Sequence, residues 1–329
     1  MAEMKKILLT GATGYVGGKL LKRLELDGHA VNCLVRDSSK LGPVGVKTTV
    51  FKGDVLIRSS MRDAFQGVDT AYFLVHFLHA KHDFEAMEVE AAENFASMAR
   101  EAGVKKIVYL GALGNEQDGL SPHLRSRQDV GIILRKSGIP TIELRASIVL
   151  GEGSLSFELI RDLTEHLPFM LIPRWVSTKA QPIGIRDLLD YLVKALDINS
   201  DCNEVVEIGG SDQMSYGDLM REYARQKGLK RLMIPVPVLT PWLSSHWIAF
   251  FSGVDSAVGR KLIEGIKNPT VVENNKAHDL FDIRPVSASE AMGQALGKTP
   301  ACETEKMQDD SPIDLLAVNH DGRKHVHTV

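Results

Sequence analysis

Thr10-Gly11-Ala12-Thr13-Gly14-Tyr15-Val16-Gly17 follows at once on an aliphatic run that begins at Lys6, and leads into Val16, Leu20, Leu21 and Leu24 at helical spacing. Strand, glycine-rich turn and amphipathic helix in that order form a phosphate cradle. Gly11 permits the tight turn, Gly14 lets backbone amides approach a pyrophosphate, and Gly17 lets helix and strand pack closely. The helix N-terminus then faces the anion, so Thr13, Tyr15 and Val16 join the three glycines as candidate dinucleotide contacts.

Outward from this unit, short β-branched runs alternate with longer helical patterns, the sign of βαβ units and a parallel sheet. The pattern predicts strands over residues 6–10, 30–36, 47–52, 70–75, 106–110 and 141–145, and a long helix over 84–100. Gly28 and Gly103 each stand just past a helix and just before the next strand, where a residue tolerating positive φ is wanted. The expected fold class is α/β, a doubly wound parallel sheet of Rossmann type with a smaller C-terminal substrate lobe.

After Gly151 the alternation loosens. Helices are expected over 156–166, 186–196 and 216–227, a strand over 204–208, and a proline-bounded loop over 168–182. Ile234-Pro-Val-Pro-Val238 must be extended, because proline lacks the amide a helix needs. The stretch 239–266 reads as an apolar helical segment with Trp242, Trp247, Phe250 and Phe251, either the small lobe's own core or the lining of an apolar pocket. Residues 1–150 thus form the nucleotide domain and 151–301 the smaller lobe, with parts returning to the Rossmann core. A polar tail over 302–329 is expected to be flexible, and its closing His325 and His327 make no metal site.

The chain has 329 residues, 44% hydrophobic and 25% charged, which is ordinary for a globular protein. A formal net charge of -3 offers no broad basic surface for phosphate backbones, so nucleic acid is not an expected partner. Cys33, Cys202 and Cys302 lie far apart and form no CxxC pair, which argues against a disulfide framework and a zinc site. The N-terminal apolar run is too short for a signal peptide, and none reaches the roughly 18 residues a bilayer span requires. A cytoplasmic location is expected; peripheral membrane contact and the oligomeric state stay open.

The GxxGxxG spacing and Thr-Gly-Ala-Thr-Gly resemble the extended and atypical short-chain dehydrogenase/reductases over roughly residues 5 to 300. In that family an acidic residue at the end of the second strand favours NAD. Here Val35 takes that place and Arg36 follows, with a planar donor fork suited to a 2′-phosphate. Ser38, Ser39 and Lys40 add donors, so NADP(H) is expected over NAD(H), with Asp37 as the feature that argues the other way. The alternative for Arg36 is a solvated loop charge. The resemblance also implies that Asp54, with Val55 beside it, receives the adenine amine; otherwise Asp54 is a turn residue.

The family's catalytic Tyr-x-x-x-Lys pair is absent. His123-Leu124-Arg125-Ser126-Arg127 stands in its place, and Gly111-Ala112-Leu113-Gly114 lacks the usual hydroxyl. His123 and Arg127 share one helical face, so two readings follow. Either His123 donates a proton while Arg127 binds cofactor ribose or substrate, or the helix holds its shape and neither does chemistry. Val75 and His76, after the fourth strand, are expected near the nicotinamide; His76, His79 and His82 are not spaced for a metal.

Tyr72-Phe-Leu-Val-His76, the His-Leu-Arg-Ser-Arg helix and Gln181-Pro-Ile-Gly-Ile-Arg-Asp187 resemble the atypical group that contains the NADPH-binding accessory subunit of respiratory complex I. Bacterial proteins of that group carry the label nucleoside-diphosphate-sugar epimerase, a reaction that needs the missing tyrosine. In the substrate lobe, Pro173-Arg174-Trp175-Val176-Ser177 combines a cation with an aromatic. The expected function is an NADPH-dependent oxidoreductase acting on an apolar carbonyl or quinone-like compound. The alternative is an idle NADP(H)-binding redox sensor or assembly component.

Overall fold

A computed structural model describes residues 4–78, 80, 83–199, 201–236 and 264–298. His79, His82, the part of the apolar segment up to residue 263, with Trp242, Trp247, Phe250 and Phe251, and the polar tail lie outside the described residues, as do the side chains of Arg174 and Trp175. Seven strands form the main sheet: β1 (Lys6–Thr10), β2 (Ala30–Val35), β3 (Thr48–Lys52), β4 (Thr70–Phe73), β5 (Lys106–Ala112), β6 (Thr141–Ala146) and β11 (Glu204–Ile208). Their order is β11-β6-β5-β4-β1-β2-β3, and every pairing is parallel. The chain winds outward from β1 to β3, then returns to lay β4 on the other side of β1. Strand order reverses between β1 and β4, the place where such sheets open a crevice beyond their carboxyl ends.

Helices cover both faces because the strands are apolar on both. Helix α1 (Tyr15–Leu26) sets Leu20, Leu21 and Leu24 against Leu188, Leu189 and Leu192 of α5 (Ile185–Lys194), over one face of β1 and β2. On the other face, α2 (Phe84–Glu101) and α3 (Pro122–Arg135) lie side by side over β4 and β5. Phe95 anchors that layer, its ring 4.8 Å from Phe73 and 5.3 Å from Phe65. Ala91, Ala92 and Ala99 keep α2 close to its neighbours, and Gly131 of α3 gives way to the Glu143 carboxylate rising from β6. Arg135 and Arg145 neutralise that buried acid.

The smaller lobe packs α4 (Leu155–His166), α6 (Tyr216–Lys227) and the helix Ala288–Ala295 around Phe157, Tyr223 and Met292. Among the described residues no helix is long and apolar enough to cross a membrane. The expected loop over 168–182 is instead part strand. It holds β8 (Phe169–Pro173), a 3-10 turn and β9 (Lys179–Ala180). Strand β8 pairs in parallel with β13 (Leu232–Val236), the extended Ile-Pro-Val segment, and no local signal reveals so distant a partner. Strand ends also shift: β4 stops at Phe73, whereas β5 runs on to Ala112 because β6 pairs with it that far.

Asp187 lies buried at the start of α5, where Oδ2 accepts the Val286 amide at 3.0 Å. Burial pushes its carboxyl up to about 6; Val286 opposes this, while Asp190 and Glu290 add to it. A carboxyl raised in the folded state contributes stability below its unfolded value and loses it as pH rises through about 6. Asp187→Asn keeps the acceptor, so it should raise the urea midpoint at pH 7.5, by about 1–3 kcal/mol of stability, with little change at pH 4. A midpoint difference that is the same at both pH values would rule out this origin.

Candidate functional site

The glycine-rich turn lies where β1 leads into α1. Gly11 adopts φ +79°, and a Cβ there would stand 2.7 Å from the Leu74 carbonyl oxygen, so only glycine fits. A Cβ at Gly17 would collide with the Gly11 carbonyl, which is why α1 can lie so close to β1. The Gly14 amide donates to Gly11 O at 2.9 Å, and the first helical bond is Gly18 N–H to Gly14 O. No side chain caps this N-terminus and no acidic residue occupies its first turn, so its amide dipoles suit an incoming pyrophosphate. Thr13 and Gly14 are exposed at the tip, while Val16 is partly buried behind them. The Tyr15 hydroxyl packs on Gly151 and its ring on Gly153, with the Lys19 ammonium 5.4 Å from the ring centre.

At the end of β2, Arg36 is exposed, beside a buried Val35. Asp37 is turned away to cap a short 3-10 turn, accepting the Ser39 hydroxyl at 2.7 Å and amide at 3.0 Å. Those bonds, first the hydroxyl's, hold its carboxyl below the usual range, with Lys40 and Lys52 contributing. Lys52 ends β3 directly opposite Val35, a cation the sequence pattern did not single out. A Cβ at Gly53 would stand 2.6 Å from the Ser60 carbonyl oxygen, so the chain passes this point tightly. Asp54 Oδ1 accepts the Leu56 amide at 3.0 Å, a turn role, and Val55 is buried next to it.

At the end of β4 the structure gathers groups from three elements. The Thr10 hydroxyl donates to Tyr72 O at 2.9 Å and accepts the Leu74 amide at 3.3 Å, tying β1 to β4 at the reversal. Beyond it, His76 Nδ1 lies 2.7 Å from Oε1 of Glu88, whose side chain is 1% exposed against 31% for the imidazole. Glu88 also accepts the Phe77 amide at 3.2 Å and the Ser126 hydroxyl. Burial alone would raise this carboxyl, but bonds from His76 and Ser126, with the Arg127 and His76 charges, bring it down to about 2. The His123 ring stacks on His76, centroids 4.9 Å apart and planes within 13°.

Arg127, one turn further along α3, points into the protein. Its guanidinium donates to Val75 O at 3.2 Å and to Leu110 O, lies 3.9 Å from Glu88, and rests 4.9 Å from the Tyr109 ring centre. The two residues that replace the tyrosine and lysine therefore diverge: His123 joins His76, and Arg127 fastens the ends of β4 and β5. Asn268, also missed, accepts the Ser121 amide at 3.0 Å at the head of α3, and nearby Gly265 lies over His123. Glu88 left a trace in the sequence, since it falls in register with Ala91, Ala92 and Phe95 on the apolar face of α2.

The profile of the NmrA-like family matches residues 3–231. Phenylcoumaran benzylic ether reductase Betv6 of Betula pendula is 30% identical over 266 residues, 71% of this chain and 79% of that protein. UDP-glucose 4-epimerase of Vibrio cholerae is 24% identical over 289 residues, with the same coverage of 71% and 79%. In fold, the chain is similar to Citrobacter sp. triphenylmethane reductase complexed with NADP(H), at TM-score 0.70, 20% identity and coverage of 88% and 99%.

Removing one partner of a buried, hydrogen-bonded ion pair costs about 3–5 kcal/mol. Arg127→Met should lower stability by about that amount in urea denaturation, since it leaves the Val75 and Leu110 carbonyls without their donor and takes the cation from beside buried Glu88. A midpoint equal to the wild type's would show that the guanidinium does not fasten these strand ends.

Proposed function

The chain belongs to the NmrA-like family, and from that premise we propose that it is an NADPH-dependent reductase of apolar carbonyl or quinone-like compounds. It is an extended NAD(P)-binding Rossmann-fold protein related to reductases and epimerases. The observation that carries the proposal is the pair of stacked imidazoles, His76 and His123, gathered beyond β4 at the reversal of strand order. Bound NADPH supplies a hydride; the imidazole pair supplies the proton that the reduced oxygen needs. His123 stands where the family's tyrosine would be. Arg127 acts through the strand ends it holds. Val75 is held through its carbonyl, and its side chain packs on the core that contains Phe73 and Phe95.

The phosphate end supports NADP(H) over NAD(H). Arg36 is exposed, Lys40 and Lys52 lie near Asp37, and Asp37, next to Arg36 in the chain, is already bonded to Ser39. Gly11, Thr13, Gly14, Tyr15, Val16 and Gly17 hold the pyrophosphate, and the second Asp54 oxygen receives the adenine amine. An aromatic, sparsely polar substrate agrees with the phenylcoumaran and triphenylmethane reductases among the relatives. Sugar epimerisation does not fit: five of the six tyrosines, Tyr72, Tyr109, Tyr191, Tyr216 and Tyr223, are buried, and Tyr15 belongs to the phosphate loop. The inward Arg127 favours a second reading, an idle NADP(H)-binding redox sensor or assembly component.

Titration should give tighter binding of NADPH than of NADH, and Arg36→Ala should lose about 10- to 100-fold of that preference, as for one charge-assisted contact. Equal wild-type affinities would remove the NADP assignment. His123→Ala should slow NADPH oxidation by 1,4-naphthoquinone while leaving NADPH affinity intact. Tight NADPH binding with no oxidation across a panel of carbonyls and quinones would favour the sensor reading.

A further inference from the structure

We infer that Glu88 is a positioning residue that fixes the tautomer of His76, and that His76 rather than His123 gives up the proton. The inference rests on the reductase reading above. Its ground is the buried junction of α2, α3 and the end of β4. Glu88 faces His76 Nδ1 at 2.7 Å, the Phe77 amide at 3.2 Å, the Ser126 hydroxyl, and the Arg127 guanidinium at 3.9 Å. The amide, the hydroxyl and the guanidinium are donors whatever the state of the imidazole. A carboxyl facing them is lowered, so it is ionised near neutral pH and has only lone pairs to offer. The nitrogen 2.7 Å away must therefore carry the hydrogen, and His76 is the Nδ1–H tautomer when neutral.

That assignment decides which ring does the work. With Nδ1 committed to the carboxylate, Nε2 is the nitrogen whose proton comes and goes, and the adjacent negative charge stabilises the imidazolium that holds it. The His76 side chain is 31% exposed and that of Glu88 1%, so the ring and not the carboxylate meets water. In the forward step the acceptor carbon gains the hydride and its electron pair, NADPH departing as NADP+. The carbon–oxygen π bond breaks, the oxygen takes the Nε2 proton, and water returns a proton to the neutral ring. His123 lies parallel to His76, and stacked rings cannot hydrogen-bond to one another in their planes. It acts as the surface against which His76 is held flat. Arg127 is spent on Val75 O and Leu110 O, which leaves Glu88's bonding directions for His76, Phe77 and Ser126.

The test uses the full chain with 15N-labelled histidine. Nitrogen NMR should show wild-type His76 protonated at Nδ1 and unprotonated at Nε2 when neutral. In Glu88→Gln the carboxamide can donate as well as accept, so the signals should move toward the Nε2–H tautomer. In that variant kcat for NADPH oxidation by 1,4-naphthoquinone should fall about 10- to 100-fold, with NADPH affinity within about twofold of wild type. Glu88→Asp, which keeps the charge, should retain the Nδ1–H signature, and Glu85→Gln on the exposed side of α2 should leave both measurements unchanged. His76→Ala should lose at least as much kcat as Glu88→Gln. The inference is overturned if wild-type His76 is the Nε2–H tautomer, or if Glu88→Gln keeps the wild-type signature and rate. It is also overturned if His123→Ala abolishes oxidation and His76→Ala does not. A wild-type protein that oxidises no NADPH overturns the reductase reading and the donor role together, while the NMR still decides the role of Glu88.

Discussion

Where α1 crosses β1, the Gly11 carbonyl occupies the volume a side chain on Gly17 would need, and Gly11 itself is pressed against the Leu74 carbonyl. This contact brings three backbones together with nothing between them, at the one place where the sheet changes winding direction. The consequences spread outward. Helix α1 sits low enough for Leu20, Leu21 and Leu24 to meet α5, and its uncapped amides open onto the crevice. Thr10 fixes the neighbouring strand with two bonds from one hydroxyl, so the chain beyond β4 leaves at a set angle and carries His76 to the crevice.

The α2 and α3 face shows a second constraint, the burial of charge. Glu88 and Glu143 are both sealed from water, and each is answered by arginine and by donors on other elements. Such arrangements add little net stability over apolar packing, because removing ions from water costs about as much as their attraction returns. What they supply is uniqueness. Glu143 needs the space left by Gly111 and Gly131, and Glu88 needs donors from β4's exit and α3, so neither helix can slide without stranding a carboxylate.

The sheet was legible because its signals are local. Alternating apolar runs and helical spacing gave β1, α6 and β11 at their observed bounds, with small errors at strand ends whose partners extend or withhold pairing. The tight turn between β1 and α1 was legible for the same reason. The cluster around Glu88 was not. Glu88, Ser126 and Arg127 meet only after three elements are packed, and spacing on a helix says which residues share a face but not whether a long side chain turns inward. Arg127 makes the point: one turn from His123, it reaches past its own helix to carbonyls on two strands. Strand β8 was hidden likewise, since its partner lies in another part of the chain.

The seventh strand has a consequence for how this chain comes into being. Strand β11 completes the sheet beside β6, yet it is made only after α4, β8 and α5. During synthesis, therefore, Ile142, Leu144 and Ala146 must wait as an unpaired apolar edge until residues 204–208 have left the ribosome. The smaller lobe's first half emerges in that interval, so the two lobes mature together, and a chain halted at Gly151 would keep the β6 edge open to pairing with a second chain.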